Sequence, residues 1–105
     1  MTSAALPIVF DRRAATQIEE VAHWWAVNRP AAPGAVRDDL EQAFALIATQ
    51  PECGVPVQNA RLAGVRRIHL ARLNYLVYYR LSRRLRRVEI LAFWHAKRGS
   101  GPPMT

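Results

Sequence analysis

The apolar residues of this chain change their spacing part of the way along the sequence. Between Ala14 and Ile47 they recur every three or four residues, as one face of an α-helix requires. From Val65 to His95, β-branched and aromatic residues follow the two-residue period of strands. A chain that forms helices first and strands afterwards favours an α+β fold, in which helices cover one face of a mostly antiparallel sheet.

Two helices are predicted in the first half of the chain. Asp11 is a suitable N-cap for the first, which we expect to end near Asn28 because Pro30 disfavours helical backbone just before it. The second begins close to Pro33 and ends at Pro51. The short connection predicts an antiparallel helical hairpin. The apolar stripes are Ala14, Ile18, Val21 and Trp25 in the first helix, and Val36, Leu40, Phe44 and Ile47 in the second.

Strands complete the predicted order β-α-α-β-β-β. The first is Leu6–Phe10, and the others are Val65–Leu70, Tyr75–Leu81 and Leu85–His95. The prolines and glycines of Pro51–Gly64 predict a loop. We expect the last strand to lie inside the sheet, because both of its faces are apolar towards its end.

Simple alternation assigns the strand side chains to faces. In the last strand it groups Val88, Ile90, Ala92 and Trp94 on one face. In the strand before it, Tyr75, Val77 and Tyr79 share one face, and Leu76, Tyr78 and Arg80 share the other. We expect the face of the sheet away from the helices to be uncovered and to carry arginines, and we expect Tyr75 to be the most exposed tyrosine.

The length of the chain predicts one domain. Its 105 residues are assigned to a single domain over residues 1–98 and a flexible Gly/Pro-containing tail over residues 99–105. The single cysteine, Cys53, has no internal disulfide partner, which favours the cytoplasm. No apolar run approaches the ~20 residues of a membrane-spanning helix, so no membrane association is expected.

Positive charge is concentrated in the second half of the chain. Residues 1–60 carry four basic and seven acidic side chains, whereas residues 61–105 carry eleven basic side chains and a single acid, Glu89. Fourteen of the fifteen basic residues are arginine, whose planar guanidinium binds phosphates and carboxylates. The pattern predicts an anionic partner, and a merely solvated basic surface is the alternative.

Few residues offer chemistry. The three histidines lie on different predicted elements and Cys53 is alone, so neither a metal nor a cofactor is expected. His95 suits a general acid or base, with Lys97 and Arg98 close in sequence to stabilise negative charge. The alternative is a histidine at a strand end that is hydrogen-bonded to backbone.

Taken in order, several segments give the chain a resemblance to the RelE/ParE family of bacterial toxins from type II toxin–antitoxin modules. The resemblance extends from about Pro7 to Arg98 and implies the same fold of a helical hairpin against an antiparallel sheet. The segments are Ile18–Trp25, Leu46–Gly54, Gly64–Arg67, Tyr75–Arg80 and Val88–His95.

The family contains two kinds of toxin. ParE-type members act on DNA gyrase and are not known as nucleases, whereas RelE-type members cleave mRNA on the ribosome. Tyr75 stands where nuclease members usually have arginine, and lysine is nearly absent, which together favour the ParE type. His95 matches a catalytic histidine of some nucleases, so a ribosome-dependent mRNA endonuclease with His95 and Arg80 as catalytic residues is the alternative. A basic binding module without toxicity is a third hypothesis.

The resemblance also implies the partners. We expect a cognate antitoxin protein, a toxin–antitoxin hetero-oligomer, and either DNA gyrase or the ribosome as target. The residues predicted to bind the target are Tyr75, Arg80, His95, Lys97 and Arg98. Those predicted to bind the antitoxin are Trp24, Trp25, Arg66 and Arg67.

Overall fold

A computed structural model of the chain describes residues 5–58 and 61–97. Within these residues the backbone forms two helices and five strands. In chain order they are β1 (Ile8–Phe10), α1 (Arg12–Asn28), α2 (Ala35–Thr49), β2 (Val55–Pro56), β3 (Val65–Leu70), β4 (Tyr75–Ser82) and β5 (Arg87–His95). The predicted α+β class and helical hairpin are confirmed. The predicted tail over residues 99–105 and Arg98 lie outside the described residues.

The described strands form one sheet in the order β1-β5-β4-β3-β2. β1 runs parallel to β5, and the other neighbours are antiparallel. β5 therefore has a partner on each side, as predicted for an interior strand. β2 lies within Pro51–Gly64, where we expected only a loop. A strand of two residues is too short to show alternation in the sequence. Pro56 suits that position, since an edge strand can spare a backbone donor.

The helices begin and end close to the predicted residues. The Asp11 side chain accepts the N–H of Arg13 at 2.9 Å, which caps α1 at its start. Both helices pack on one face of the sheet, and α1 lies against β5. The fully buried core between the helices and the sheet includes Val36 and Ile47 of α2 and Val77 of β4.

A β-bulge in β5 changes which side chains share a face. The pairing of β4 with β5 skips Leu91. Before the bulge, Val88 and Ile90 pack under the helices, whereas after it Ala92 and Trp94 pack on the opposite face. The prediction that these four residues share one face is wrong, because the extra residue shifts the alternation by one position.

The face of the sheet away from the helices is partly covered, contrary to expectation. Val57 and Leu62, from the chain between β2 and β3, pack there against Tyr78 and Leu91. Tyr78 is only 3% exposed as a result. An uncovered face would expose these apolar side chains to water, and a small second core avoids that cost. The predicted division of the β4 side chains between two faces is confirmed.

Candidate target-binding and antitoxin-binding surfaces

Tyr75 and His95 lie opposite each other where β4 begins and β5 ends. The Tyr75 ring stacks on Phe93 with centroids 4.7 Å apart and meets the His95 ring edge-on at 4.9 Å. His95 Nδ1 accepts the backbone N–H of Lys97 at 3.1 Å, so a neutral imidazole carries its proton on Nε2. The structure thus brings together three residues predicted to bind the target, Tyr75, His95 and Lys97. Tyr75 is half-buried, and Tyr78 and Tyr79 are buried.

Arg80 lies on a different surface from His95. Five residues of extended β4, about 17 Å, separate Arg80 from Tyr75, the partner of His95. Alternation along the strand also directs Arg80 and Tyr75 to opposite faces of the sheet. The structure therefore does not place Arg80 and His95 where both could contact the same phosphate group.

Glu89 holds Arg80 in an ion pair. Arg80 Nε donates to Glu89 Oε1 at 2.8 Å, and Arg87 Nη2 donates to Oε2 at 2.9 Å. The hydrogen bond from Arg80 is the main cause that lowers the pKa of Glu89, with a second contribution from Arg87 and an opposing one from burial. This cluster borders a cleft of about 260 Å³ with apolar walls from Val9 and Leu91. Asp11 also lines the cleft, so its two guanidinium groups are matched by two carboxylates and the lining has no net formal charge.

The contribution of Glu89 was missed from the sequence, although a signal existed. Glu89 is the only acid among residues 61–105, and a lone acid in an arginine-rich half of the chain is the natural partner for one or more of those arginines. The cross-strand register then decides which arginine it meets, and here Arg80 lies directly opposite.

The two adjacent tryptophans of α1 have different environments. Trp25 packs against the core, whereas Trp24 is 49% exposed. The Arg29 guanidinium lies 5.5 Å from the Trp24 ring centroid, a cation–π distance. Val27, one turn along, is 65% exposed. The end of α1 therefore presents an apolar patch with one positive charge, which we call the α1 patch (Trp24, Val27 and Arg29).

The arginines predicted to bind the antitoxin do not join the α1 patch. Arg66 Nη1 donates to the carbonyls of Gly54 at 2.8 Å and Glu52 at 3.1 Å, so it holds the loop after α2. Arg67 pairs with Tyr78 in the sheet register and shares its face, away from the helices. The four predicted antitoxin residues therefore lie on separate surfaces.

Neither a metal site nor a membrane span is found in the part of the chain that the structure describes. No three His, Cys, Asp or Glu side chains within residues 5–58 and 61–97 form a group that could hold a metal ion. In the same residues, neither helix has the length and apolar character needed to cross a membrane.

Two solved toxin–antitoxin systems contain a chain with this fold. A chain of the chromosomal ParDE system of P. aeruginosa superposes with a TM-score of 0.68 at 21% identity, covering 90% of this chain and 100% of that one. A chain of the RelBE2 complex of Mycobacterium tuberculosis gives 0.62 at 22% identity, covering 88% and 99%. At these identities the likeness concerns the fold alone.

A family model identifies the sequence more specifically than the fold does. No curated protein sequence matches the chain. The model described as the ParE toxin of the type II toxin–antitoxin system parDE, however, matches residues 8–99, which include every helix and strand of the fold. The chain therefore belongs to the ParE toxin family of type II toxin–antitoxin systems.

Proposed function

We propose that this chain is a toxin that inhibits DNA gyrase by binding and that performs no chemistry of its own. The observation that carries the proposal is the ParE family match over residues 8–99. Gyrase is the target that the resemblance to ParE-type toxins implies. The surface where β4 begins and β5 ends, with Tyr75, His95 and Lys97, is the proposed contact with the target, and Arg98 follows it in sequence.

The separation of Arg80 from His95 supports a binding role. A ribonuclease needs a proton-transferring group and a phosphate-neutralising cation at the same phosphate. Arg80 is on the other face of the sheet, and Glu89 already neutralises part of its charge. These two residues therefore do not form a catalytic pair in this fold.

A second candidate, a RelE-like mRNA endonuclease, is favoured by one observation. His95 and Lys97 adjoin each other beside Tyr75, and His95 Nε2 has no partner among the described residues. In that reaction a ribose 2′-hydroxyl would attack the adjacent phosphorus, lose its proton and displace the 5′-oxygen of the next nucleotide, which takes up a proton and leaves a 2′,3′-cyclic phosphate. His95 would transfer a proton, and Lys97 would stabilise the negative charge.

Pulse labelling distinguishes the two targets. The chain is induced in bacteria without an antitoxin, and incorporation of labelled thymidine and labelled amino acids is followed over the first minutes. Gyrase inhibition predicts that DNA synthesis falls first while translation continues. An early stop in protein synthesis would instead identify the ribosome as the target, and unimpaired growth with normal expression would support the non-toxic alternative.

Two matched substitutions separate binding from catalysis. His95→Asn removes the proton-transferring group but keeps a side-chain acceptor near the Lys97 N–H. We expect its toxicity to stay within about twofold of the parent chain, whereas loss of a general acid or base costs roughly 100-fold or more. Removing positive charge with Lys97→Gln, alone or with Arg98→Gln, should weaken toxicity. A non-toxic His95→Asn chain that still binds the ribosome would contradict the binding proposal.

We further propose that a cognate antitoxin covers the α1 patch. Its exposed Trp24 and Val27 offer apolar area, and Arg29 offers a charge for an acidic residue. A flexible segment that folds on binding could cover such a patch with an amphipathic helix. Trp24→Ser should weaken capture of the small protein encoded beside this chain by tenfold or more, an order typical of an aromatic anchor. Leu46→Ser is the control, because Leu46 is similarly exposed on α2; equal weakening by both would contradict the proposal.

A further inference from the structure

The turn between β4 and β5 is a dense cluster of arginines. Residues 83–87 read Arg-Arg-Leu-Arg-Arg. Arg84 and Arg86 are exposed and have no acidic partner among the described residues, whereas Arg83 pairs with Glu52 at 3.0 Å on the open surface. Such an exposed pair is weak in water, so Arg83 is available to another anion. Leu85, between the arginines, is 46% exposed.

The turn has a defined shape. The Ser82 hydroxyl accepts the N–H of Leu85 at 3.2 Å, and Arg86 adopts a left-handed backbone with φ 54°. For this reason β5 begins at Arg87 and not at Leu85 as predicted from the sequence. The turn joins two inner strands of the sheet, about 25 Å along β4 from Tyr75. β3 flanks β4 up to Arg80, and β1 flanks β5 from Val88. The turn is therefore a surface separate from the proposed contact of Tyr75, His95 and Lys97 with the target.

We propose that this arginine turn (residues 83–87) binds the phosphate backbone of duplex DNA. Guanidinium groups match phosphate oxygens with two parallel hydrogen bonds, and arginine is the only basic residue type in the turn. Duplex DNA carries one negative charge per ~1.7 Å of helix axis, so Arg83, Arg84 and Arg86 can contact neighbouring phosphates together. Arg87 is held by Glu89. Arginine clusters also bind acidic peptide motifs, so an acidic peptide is the competitor in the test below.

A role for this DNA contact in the cell rests on the proposed function. Gyrase acts on duplex DNA, so a toxin that contacts the DNA beside the enzyme gains a second point of attachment. Two linked contacts raise the overall affinity without either contact being tight. DNA binding by the isolated chain does not itself require gyrase, so it can be measured separately.

Fluorescence anisotropy tests the proposal with the full chain and a short labelled DNA duplex at several salt concentrations. The variant combines Arg84→Gln with Arg86→Asn, because asparagine tolerates the left-handed backbone at residue 86. We expect about tenfold weaker binding at moderate salt. The slope of log K against log salt should fall by about two, since each phosphate contact contributes about 0.9.

The matched control removes two arginines from the helices. Arg12→Gln with Arg37→Gln lowers the net charge equally, and both side chains are exposed far from the turn in sequence. We expect its affinity and salt slope to stay close to those of the parent chain. Circular dichroism checks that each variant is folded, and if the double turn variant is not, Arg84→Gln alone should lower the slope by about one.

Three results would overturn the inference. They are an unchanged slope in the turn variant, an equal loss in the control, and tighter binding of the parent chain to single-stranded RNA or to an acidic peptide than to the duplex. Failure of the proposed function would give a different result: thymidine incorporation would be unaffected, while binding to duplex DNA persisted.

Discussion

The Tyr79 hydroxyl fastens the loop after α2 to the sheet. Tyr79 is fully buried, its hydroxyl donates to the Pro51 carbonyl at 2.9 Å, and it accepts the Gly54 N–H at 2.8 Å. A Cβ at Gly54 would lie 2.6 Å from that oxygen, so a glycine is required by the close approach of the ring. Alternation assigned Tyr79 to one face of the sheet but did not identify the partners of its hydroxyl, because these lie in a loop whose path the sequence does not reveal.

Tyr79→Phe should destabilise the chain by about 1–3 kcal/mol, because it leaves the buried Gly54 N–H and the partly buried Pro51 carbonyl without a partner. Urea unfolding at neutral pH measures this. Tyr75→Phe is the control, because Tyr75 is only half-buried, and we expect a change of no more than about 0.5 kcal/mol. Equal effects of the two substitutions would show that the Tyr79 hydroxyl does not hold the loop.

Because of the same hydroxyl, the free energy of unfolding depends on pH in the alkaline range. Burial is the main cause that raises the pKa of Tyr79 to about 12, whereas an unfolded tyrosine ionises near 10. The folded state thus keeps a proton that the unfolded state releases, so this contribution is complete below about pH 10 and is lost as the pH rises to about 12. Urea midpoints across this range should fall less steeply in Tyr79→Phe than in the parent chain.

Glu89→Gln should cost about 1–2 kcal/mol at pH 7, because two arginines lose a charged acceptor that is mostly buried. Its lowered pKa means that the parent chain loses this contribution as the pH falls below the unfolded value near 4.3. The difference should therefore shrink at pH 3 in urea unfolding. Glu41→Gln, which breaks an exposed pair with Arg37, should cost no more than about 0.5 kcal/mol at either pH.

At the scale of elements, helices and most strands followed from spacing, whereas the bulge in β5 did not. Helix ends are set by local residues such as Asp11 and Pro30, which can be recognised without knowing the fold. A bulge depends on how β5 pairs with β4, and Leu91 is apolar like its neighbours, so alternation gave no sign of it. The two-residue strand β2 escaped prediction for the same reason, since it is defined only by its pairing with β3.

One contact from α1 supports the bulged strand. Gln17 Oε1 accepts the backbone N–H of Phe93 at 2.8 Å, two residues after the bulge. Gln17→Leu should lower stability by about 1–3 kcal/mol, because the Phe93 N–H loses its acceptor. Hydrogen exchange followed by NMR should show faster exchange at Phe93. Gln17→Glu, which keeps an acceptor, and Gln42→Leu on the exposed side of α2 should leave that amide protected.

At the scale of the whole molecule, family membership was predictable and the grouping of site residues was not. The ordered segments sufficed for the resemblance, because they report the sequence of elements. Whether His95 meets Arg80 or Tyr75 depends on strand register and on the face each side chain takes, and these emerge only when the sheet is assembled. The concentration of arginine in the second half was visible from the start, but its division among an ion-pair cluster, a loop contact and a hairpin turn was not.

The sheet also joins the two ends of the described chain. β1 pairs with β5, and α1 packs on β5 as well, so the last strand completes the core formed by the first elements. We expect a chain that stops after Arg86 to lack a cooperative unfolding transition in circular dichroism, since β1 loses its strand partner and β4 and α1 each lose a neighbour. A transition like that of the parent chain would show that the remaining elements are stable without β5.

The pairing of the first strand with the last has a consequence for synthesis. A ribosome makes β1 and both helices well before β5, and until β5 emerges β1 has no strand to pair with and α1 lacks the strand against which it packs. Contacts between residues so distant in sequence also form slowly. The nascent chain therefore does not present the folded surface of the toxin until β5 has been translated and has left the ribosome.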